Sequence, residues 1–135
     1  MNLRRGIHVF LLLAAGVTVP ATLSSCLAAA GAAGGGGFYF TNRGIEGVLE
    51  GTVDEISRAT SAAFEALSVE GTGERMTNGE GEKEVYGEAG DDDVTVRLER
   101  ETATSTRVEV RVRTSAVTWD KEMAERILDT IQANL

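Results

Sequence analysis

Cys26 and His8 are the single cysteine and the single histidine among 135 residues. A thiolate is a strong nucleophile and a soft metal ligand, and imidazole is the usual proton carrier near neutral pH. With one copy of each, a disulfide framework and a Cys/His zinc site are excluded. Carboxylates are the abundant chemistry: 21 Asp and Glu face 13 Lys and Arg, a formal charge of −8. That balance speaks against nucleic acid as a partner. Glu80, Glu82, Glu84 and Glu88 could supply the paired acids of a glycosidase-like hydrolase. They fall on a polar, glycine-spaced hairpin, where charge serves solubility and blocks edge-to-edge strand pairing. No catalytic residue is expected among them. Asp91-Asp92-Asp93 offers clustered oxygens to a hard cation, but consecutive side chains point apart and no ligand loop surrounds them. A solvated turn is expected there, with no metal and no cofactor.

Arg97, Arg107, Arg111 and Arg113 recur at even spacing with Glu99 and Glu109 between them, and Tyr86 is expected near them. The plainer expectation is a ladder of cross-strand ion pairs, each contributing about 0.2–1 kcal/mol. The alternative is a docking face for an anionic partner: a protein, a lipopolysaccharide phosphate or a peptidoglycan carboxylate. Arginine suits such groups because its planar fork binds them bidentately. Trp119 is the one tryptophan, and core packing or capping of the sheet edge is expected of it before a role as a ligand platform.

These residues must be positioned by elements, and the first of those is a targeting segment. Arg4 and Arg5 precede an uncharged apolar stretch from Val9 to Val19. A membrane span needs about 20 residues, so this stretch has the length of a signal-peptide core. Pro20 breaks it, and Leu23-Ser24-Ser25-Cys26 follows. This resembles the lipobox of bacterial lipoproteins: an aliphatic residue, two small ones, then Cys. The resemblance implies cleavage between Ser25 and Cys26, two acyl chains on the sulfur and a third on the new amine. An ordinary secretory signal with a chance cysteine is the alternative, but it leaves an exported thiol without a partner. Leu3-Arg4-Arg5-Gly6-Ile7-His8 lacks the usual surroundings of a twin-arginine signal, so general secretion is expected.

Processing of residues 1–25 would discard His8 and Pro20 and consume Cys26. Residues 26–135 keep 11 basic and 21 acidic residues, a net charge of −10. Stable anchoring takes more than one acyl chain at about 0.8 kcal/mol per buried CH2, which three chains exceed. Leu27, not Asp, follows the cysteine. By resemblance to sorted lipoproteins this implies the outer membrane, with an acidic domain facing the periplasm and held off anionic lipid by like charge.

Residues 26–37 combine Cys26 with an Ala/Gly tether whose reach as a flexible coil is roughly 18 Å. The glycines do not form a phosphate cradle, since no strand precedes them and no Lys-Ser/Thr follows. In Phe38-Tyr39-Phe40 the aromatic rings either sit at the lipid headgroups or pack a first strand against the domain; the second is the plainer expectation. Thr41 to Gly44 reads as a turn and Ile45 to Gly51 as a short strand. Thr52-Val53-Asp54-Glu55 is a capping box. Val53, Ile56, Thr60, Ala63 and Leu67 then recur at helical spacing, with Phe64 on the flank. Val69 to Met76 reads as a glycine-diluted strand, Asn78-Gly79 as a turn, and Lys83 to Ala89 as a strand. Gly90 to Asp93 reads as a second turn. Val94, Val96 and Leu98, then Val108, Val110 and Val112, alternate with polar residues, the period of half-buried antiparallel strands. After a turn over Thr102 to Ser105 and these strands, Asp120 caps a second helix to about Asn134, with Met123, Ile127, Ile131 and Leu135 on one face.

The expected fold is α+β over residues 38–135: a two-layer sandwich of one antiparallel sheet with two helices on one face, in the order β-α-β-β-β-β-α. The lipobox Cys26, the tether, Phe38-Tyr39-Phe40, the helix after Thr52, the valine strands and the tail from Arg126 to Leu135 together resemble domain-of-unknown-function family 3568. The resemblance implies a small bacterial envelope lipoprotein and no particular activity or catalytic residue. A non-catalytic, lipid-anchored module is therefore expected, contacting the membrane through its acyl chains and binding an envelope protein or itself. Two alternatives stay open. A carrier would hold a small apolar ligand between sheet and helices. A carboxylate-dependent hydrolase would need a cleft with two facing acids.

Overall fold

Strands form where apolar residues alternate, and helices where they recur at steps of three and four. The computed structural model describes residues 37–79 and 81–135. The signal segment 1–25, the lipidation site Cys26, the tether up to residue 36 and Glu80 lie outside the described residues. The elements are β1 (Tyr39–Phe40), β2 (Gly44–Glu50), α1 (Val53–Ala66), β3 (Glu70–Thr77), β4 (Glu82–Ala89), β5 (Asp92–Arg100), β6 (Ser105–Arg113) and α2 (Lys121–Ala133). This is the expected α+β sandwich, with one two-residue strand added in front.

The six strands form a sheet in the order β1-β2-β6-β5-β4-β3. All its pairings are antiparallel. α1 carries the chain from β2 across one face to the far edge, lying over β3, β4 and β5, while α2 lies over β2 and β6. Both helices thus cover the same face. Their apolar stripes meet the inward residues of the strands, and Ile56, Ala63, Ile127, Leu128, Ile131, Val96, Leu98, Val108, Val110 and Val112 are all 0% exposed. Each such aliphatic side chain contributes roughly 1.5–3 kcal/mol relative to an exposed one. Buried hydroxyls are satisfied locally: Thr60 Oγ1 donates to the Ile56 carbonyl at 2.8 Å and Thr106 Oγ1 to the Gly51 carbonyl at 2.8 Å.

The ends of the elements follow the side chains present. Thr52 Oγ1 accepts from the Glu55 amide, and Glu55 Oε2 accepts from the Thr52 amide at 2.8 Å, closing the capping box. Asp120 Oδ1 accepts from the Met123 amide at 2.9 Å and starts α2. Asn78 and Gly79, in the loop between Thr77 and Glu82, both take the left-handed conformation, φ 53° and 85°, which these two residue types tolerate best. The turn expected over Gly90 to Asp93 is shorter. Only Gly90 and Asp91 turn, and Asp92 and Asp93 already belong to β5, paired with Ala89 and Glu88. A two-residue loop with Gly90 at φ 67° suffices to reverse the chain. Among the aromatics, Phe38 packs against the core, whereas Tyr39 and Phe40 are each 54% exposed. Lys83 points inward, a placement its charge conceals. Its Nζ lies 3.3 Å from Asp54 Oδ1 and 3.7 Å from Glu74 Oε2, joining α1 to the β3–β4 edge.

Candidate binding face

Neither helix covers the other face of the sheet, and its side chains stand in rows fixed by strand register. One row runs Glu46, Glu109, Arg97, Glu84, Arg75 across β2, β6, β5, β4 and β3. Beside it run Val48, Arg107, Glu99, Glu82 and Thr77. On its other side run Gly44, Arg111, Thr95, Tyr86 and Gly73. Arg113 and Asp93 open a fourth row. The register therefore brings Arg97, Arg107, Arg111 and Arg113 onto one face, with Glu99, Glu109 and Tyr86 among them.

Most of these arginines are engaged. Arg113 Nη2 donates to Asp93 Oδ2 at 2.5 Å and its Nε to the same oxygen at 3.2 Å. Arg107 lies 2.7 Å from Glu101 and 3.6 Å from Glu46. Arg97 pairs with Glu82, and Arg75 Nη2 with Glu84 Oε2 at 2.8 Å. Arg111 is held most loosely. Its nearest carboxylate, Glu109 on its own strand, is 3.5 Å away; its Nε is buried with no hydrogen-bond partner, as is that of Arg97, but Arg97 has Glu82 close by. The ladder is thus real but incomplete, and its gap falls at Arg111.

Glu88 is exposed, as expected of the solvated hairpin, but Glu82 and Glu84 depart from it. Glu82 is only 6% exposed, because Arg97 and the Asn78 amide, which donates at 2.7 Å, close over its carboxylate. Glu84 accepts from the Tyr86 hydroxyl and from Arg75, and these bonds hold its carboxyl below its ordinary value of 4.5. The same contact with Glu84 raises the Tyr86 phenol. A general acid at neutral pH needs the opposite shift, a carboxyl raised by burial or by a like charge. No group of three or more His, Cys, Asp or Glu among the described residues is placed to hold a metal ion.

Around Arg111 the face dips into a pocket of about 280 Å³, lined by Tyr86, Asp93, Thr95, Arg113 and Trp119 as well as Arg111 and Glu84. Trp119 is not in the core. The chain turns back after β6, and an isolated bridge pairs Trp119 with Arg113, which sets the indole at the corner of the outer face. The Arg43 guanidinium stands 5.8 Å from its ring centroid. A wider depression of about 650 Å³ lies at the other end of the sandwich; Glu50, Arg58, Thr104 and Asn134 line it together with Thr52 and Glu55, which are already spent on each other in the helix cap.

The family model described as protein of unknown function (DUF3568) matches residues 8–134. The chain belongs to this family. No curated protein is similar enough to it to match. For this DUF3568 protein the described face holds all four arginines singled out by spacing, and geometry ranks them. Spacing could not rank them, because ion pairing depends on diagonal neighbours set by register. Arg43 was missed outright. It sits in the bend before β2, and only the return of the chain after β6 brings Trp119 beside it.

Proposed function

We propose that this protein is a non-catalytic module of the bacterial cell envelope, held to the outer membrane by acyl chains on Cys26 and facing the periplasm. It docks an envelope partner through the open face of its sheet. One observation carries the docking reading: one broad face of a six-stranded sheet is left to solvent, and its charges stand in a fixed grid. Both helices pack on the opposite side. The anchor rests on the sequence, where Leu23-Ser24-Ser25-Cys26 follows a charged and then an apolar segment. Glu82 and Glu84 support the non-catalytic part, since each carboxylate is committed to an arginine.

Cys26→Ser should abolish acylation, read by incorporation of labelled palmitate, and release the protein from membranes. Undiminished labelling would refute the anchor, and Leu27→Asp should redirect it to the inner membrane. For docking, a photo-cross-linking residue at Glu99 on the open face should capture a partner in whole cells. The same residue at Glu125, on the exposed side of α2, should not. Capture from Glu125 alone would place the interface on the helices and overturn the reading.

A further inference from the structure

We infer that the pocket at the corner of the open face binds an acidic monosaccharide, its carboxylate on Arg111 and its ring against Trp119. The inference deepens the docking reading by naming a ligand class for one corner of that face, and it does not depend on acylation. Arg97 and Arg111 both carry a buried Nε without a hydrogen bond, but Arg97 is closely paired with Glu82, whereas Arg111 stands 3.5 Å from its nearest carboxylate. A planar carboxylate matches the fork of a guanidinium that no protein carboxylate holds closely. Arg43 is not part of the pocket's lining but stands 5.8 Å from the Trp119 ring centroid. Two cations thus flank one indole on a protein that is acidic as a whole.

Size, charge and polarity narrow the ligand further. About 280 Å³ admits one ring, not a chain of them. Asp93 and Glu84 line the same pocket, so a multiply charged phosphate would meet like charge, whereas a single carboxylate can reach Arg111 alone. The aromatic surface is confined to Trp119 and Tyr86, and the rest of the wall is polar: the Thr95 hydroxyl, Arg113 and the two acids. An aromatic acid would set an apolar edge against that polar wall. A pyranose has a C–H face to lay on an aromatic ring and a rim of hydroxyls for polar partners, the division of labour of a small-molecule site.

The test uses the full chain in detergent micelles. Because Trp119 is the one tryptophan, its indole N–H gives a single NMR signal that reports on the pocket. Titration with glucuronate should shift that signal saturably in the millimolar range. Glucose, which has the ring without the carboxylate, and acetate, which has the carboxylate without the ring, should shift it much less. Arg111→Gln should weaken glucuronate binding by about tenfold or more, the loss of a charged hydrogen-bond pair. Arg111→Lys, which keeps the charge but not the fork, should weaken it as well and serves if the glutamine variant does not fold. Arg58→Gln on α1 should bind as the parent does. Absence of a saturable response to glucuronate overturns the inference, as does an equal response to acetate or glucose, or unchanged binding by a folded Arg111 variant. Cross-linking from Glu99 would persist in those cases if the docking reading stands, so the two ideas fail separately.

Discussion

Gly44 and Gly47 lie three residues apart on β2, and the structure predicts very different costs for adding one methyl group at each. A Cβ on Gly44 would come 1.9 Å from the Val110 carbonyl oxygen and 3.2 Å from the Arg111 Cα, both backbone atoms of the neighbouring central strand. No rotamer change relieves that contact, so β2 and β6 must separate by about an ångström at their shared end. Overpacking of this kind costs about 1–3 kcal/mol, and loosening the adjacent ladder bonds adds about 1 kcal/mol. A total near 3 kcal/mol lowers the melting midpoint of a domain of this size by about 12–24 °C. A Cβ on Gly47 would come 2.1 Å from the Phe38 ring. That ring belongs to a partly buried side chain near the edge of the sheet and can swing out, so the cost is limited to its lost burial, about 1 kcal/mol. Thermal unfolding followed by circular dichroism compares Gly44→Ala and Gly47→Ala directly. A loss under about 4 °C for Gly44→Ala, or the reverse order, would refute the argument from backbone approach. Because Gly44 is the register partner of Arg111, Gly44→Ala should also shift the resonances of the Arg111 side chain.

Thr52→Ala opens the capping box of α1 and should cost about 1 kcal/mol, read as a fall of about 4–8 °C in melting midpoint; no change would mean that the Thr52–Glu55 bonds carry no weight. Glu84 and Glu55 both titrate below 4.5 in the folded chain, through hydrogen bonds from Tyr86 and from Thr52 respectively. Their stabilisation is therefore complete above the unfolded value and disappears as pH falls through the lowered folded values. The melting midpoint should drop on acidification below about pH 4.5, less steeply in Glu84→Gln, and an unchanged slope in that variant would contradict the assignment. Arg97→Met leaves Glu82 without its ion-pair partner and should cost more than Arg97→Met combined with Glu82→Leu, since an uncompensated buried carboxylate costs more than removal of the pair. A double variant less stable than the single one would invert that reasoning.

The parts of this fold legible in the sequence are those set by neighbours along the chain. The capping box at Thr52, the helical recurrence through Phe64, the Asn78-Gly79 turn and the valine alternation of β5 and β6 each need fewer than a dozen consecutive residues to be recognised. Features set by long-range register were hidden. Phe38-Tyr39-Phe40 reads as a first strand, but that it pairs over two residues only, Tyr39 with Glu46 and Phe40 with Ile45, is set by β2. Glu82 reads as solvated from its neighbours, yet Arg97 and Asn78 bury it from other strands and turns. Lys83 reads as an outward charge, and only the passage of α1 above β4 gives it Asp54. The candidate site was half legible for the same reason. Spacing placed four arginines on one face, but the looseness of Arg111 and the company of Trp119 and Arg43 depend on where the chain returns.

The grid on the open face is a weak source of stability and a strong source of discrimination. Exposed ion pairs contribute about 0–1 kcal/mol each, so neutralising one of them, Arg107 for instance, should move the melting midpoint little. The same charges impose a fixed pattern of sign across five strands: Glu46 stands opposite Glu109 and Glu82 opposite Glu99, while Arg97 stands between Glu109 and Glu84, Arg107 opposite Glu99 and Arg75 opposite Glu84. A partner surface that matches this pattern gains in association rate, and one that places like charge on like charge is rejected. Charge therefore acts on this face mainly through what it admits. If Arg107→Gln destabilised the domain by several kcal/mol while leaving cross-linking from Glu99 intact, the grid would be a structural brace and the case for an open docking face would lose its physical basis.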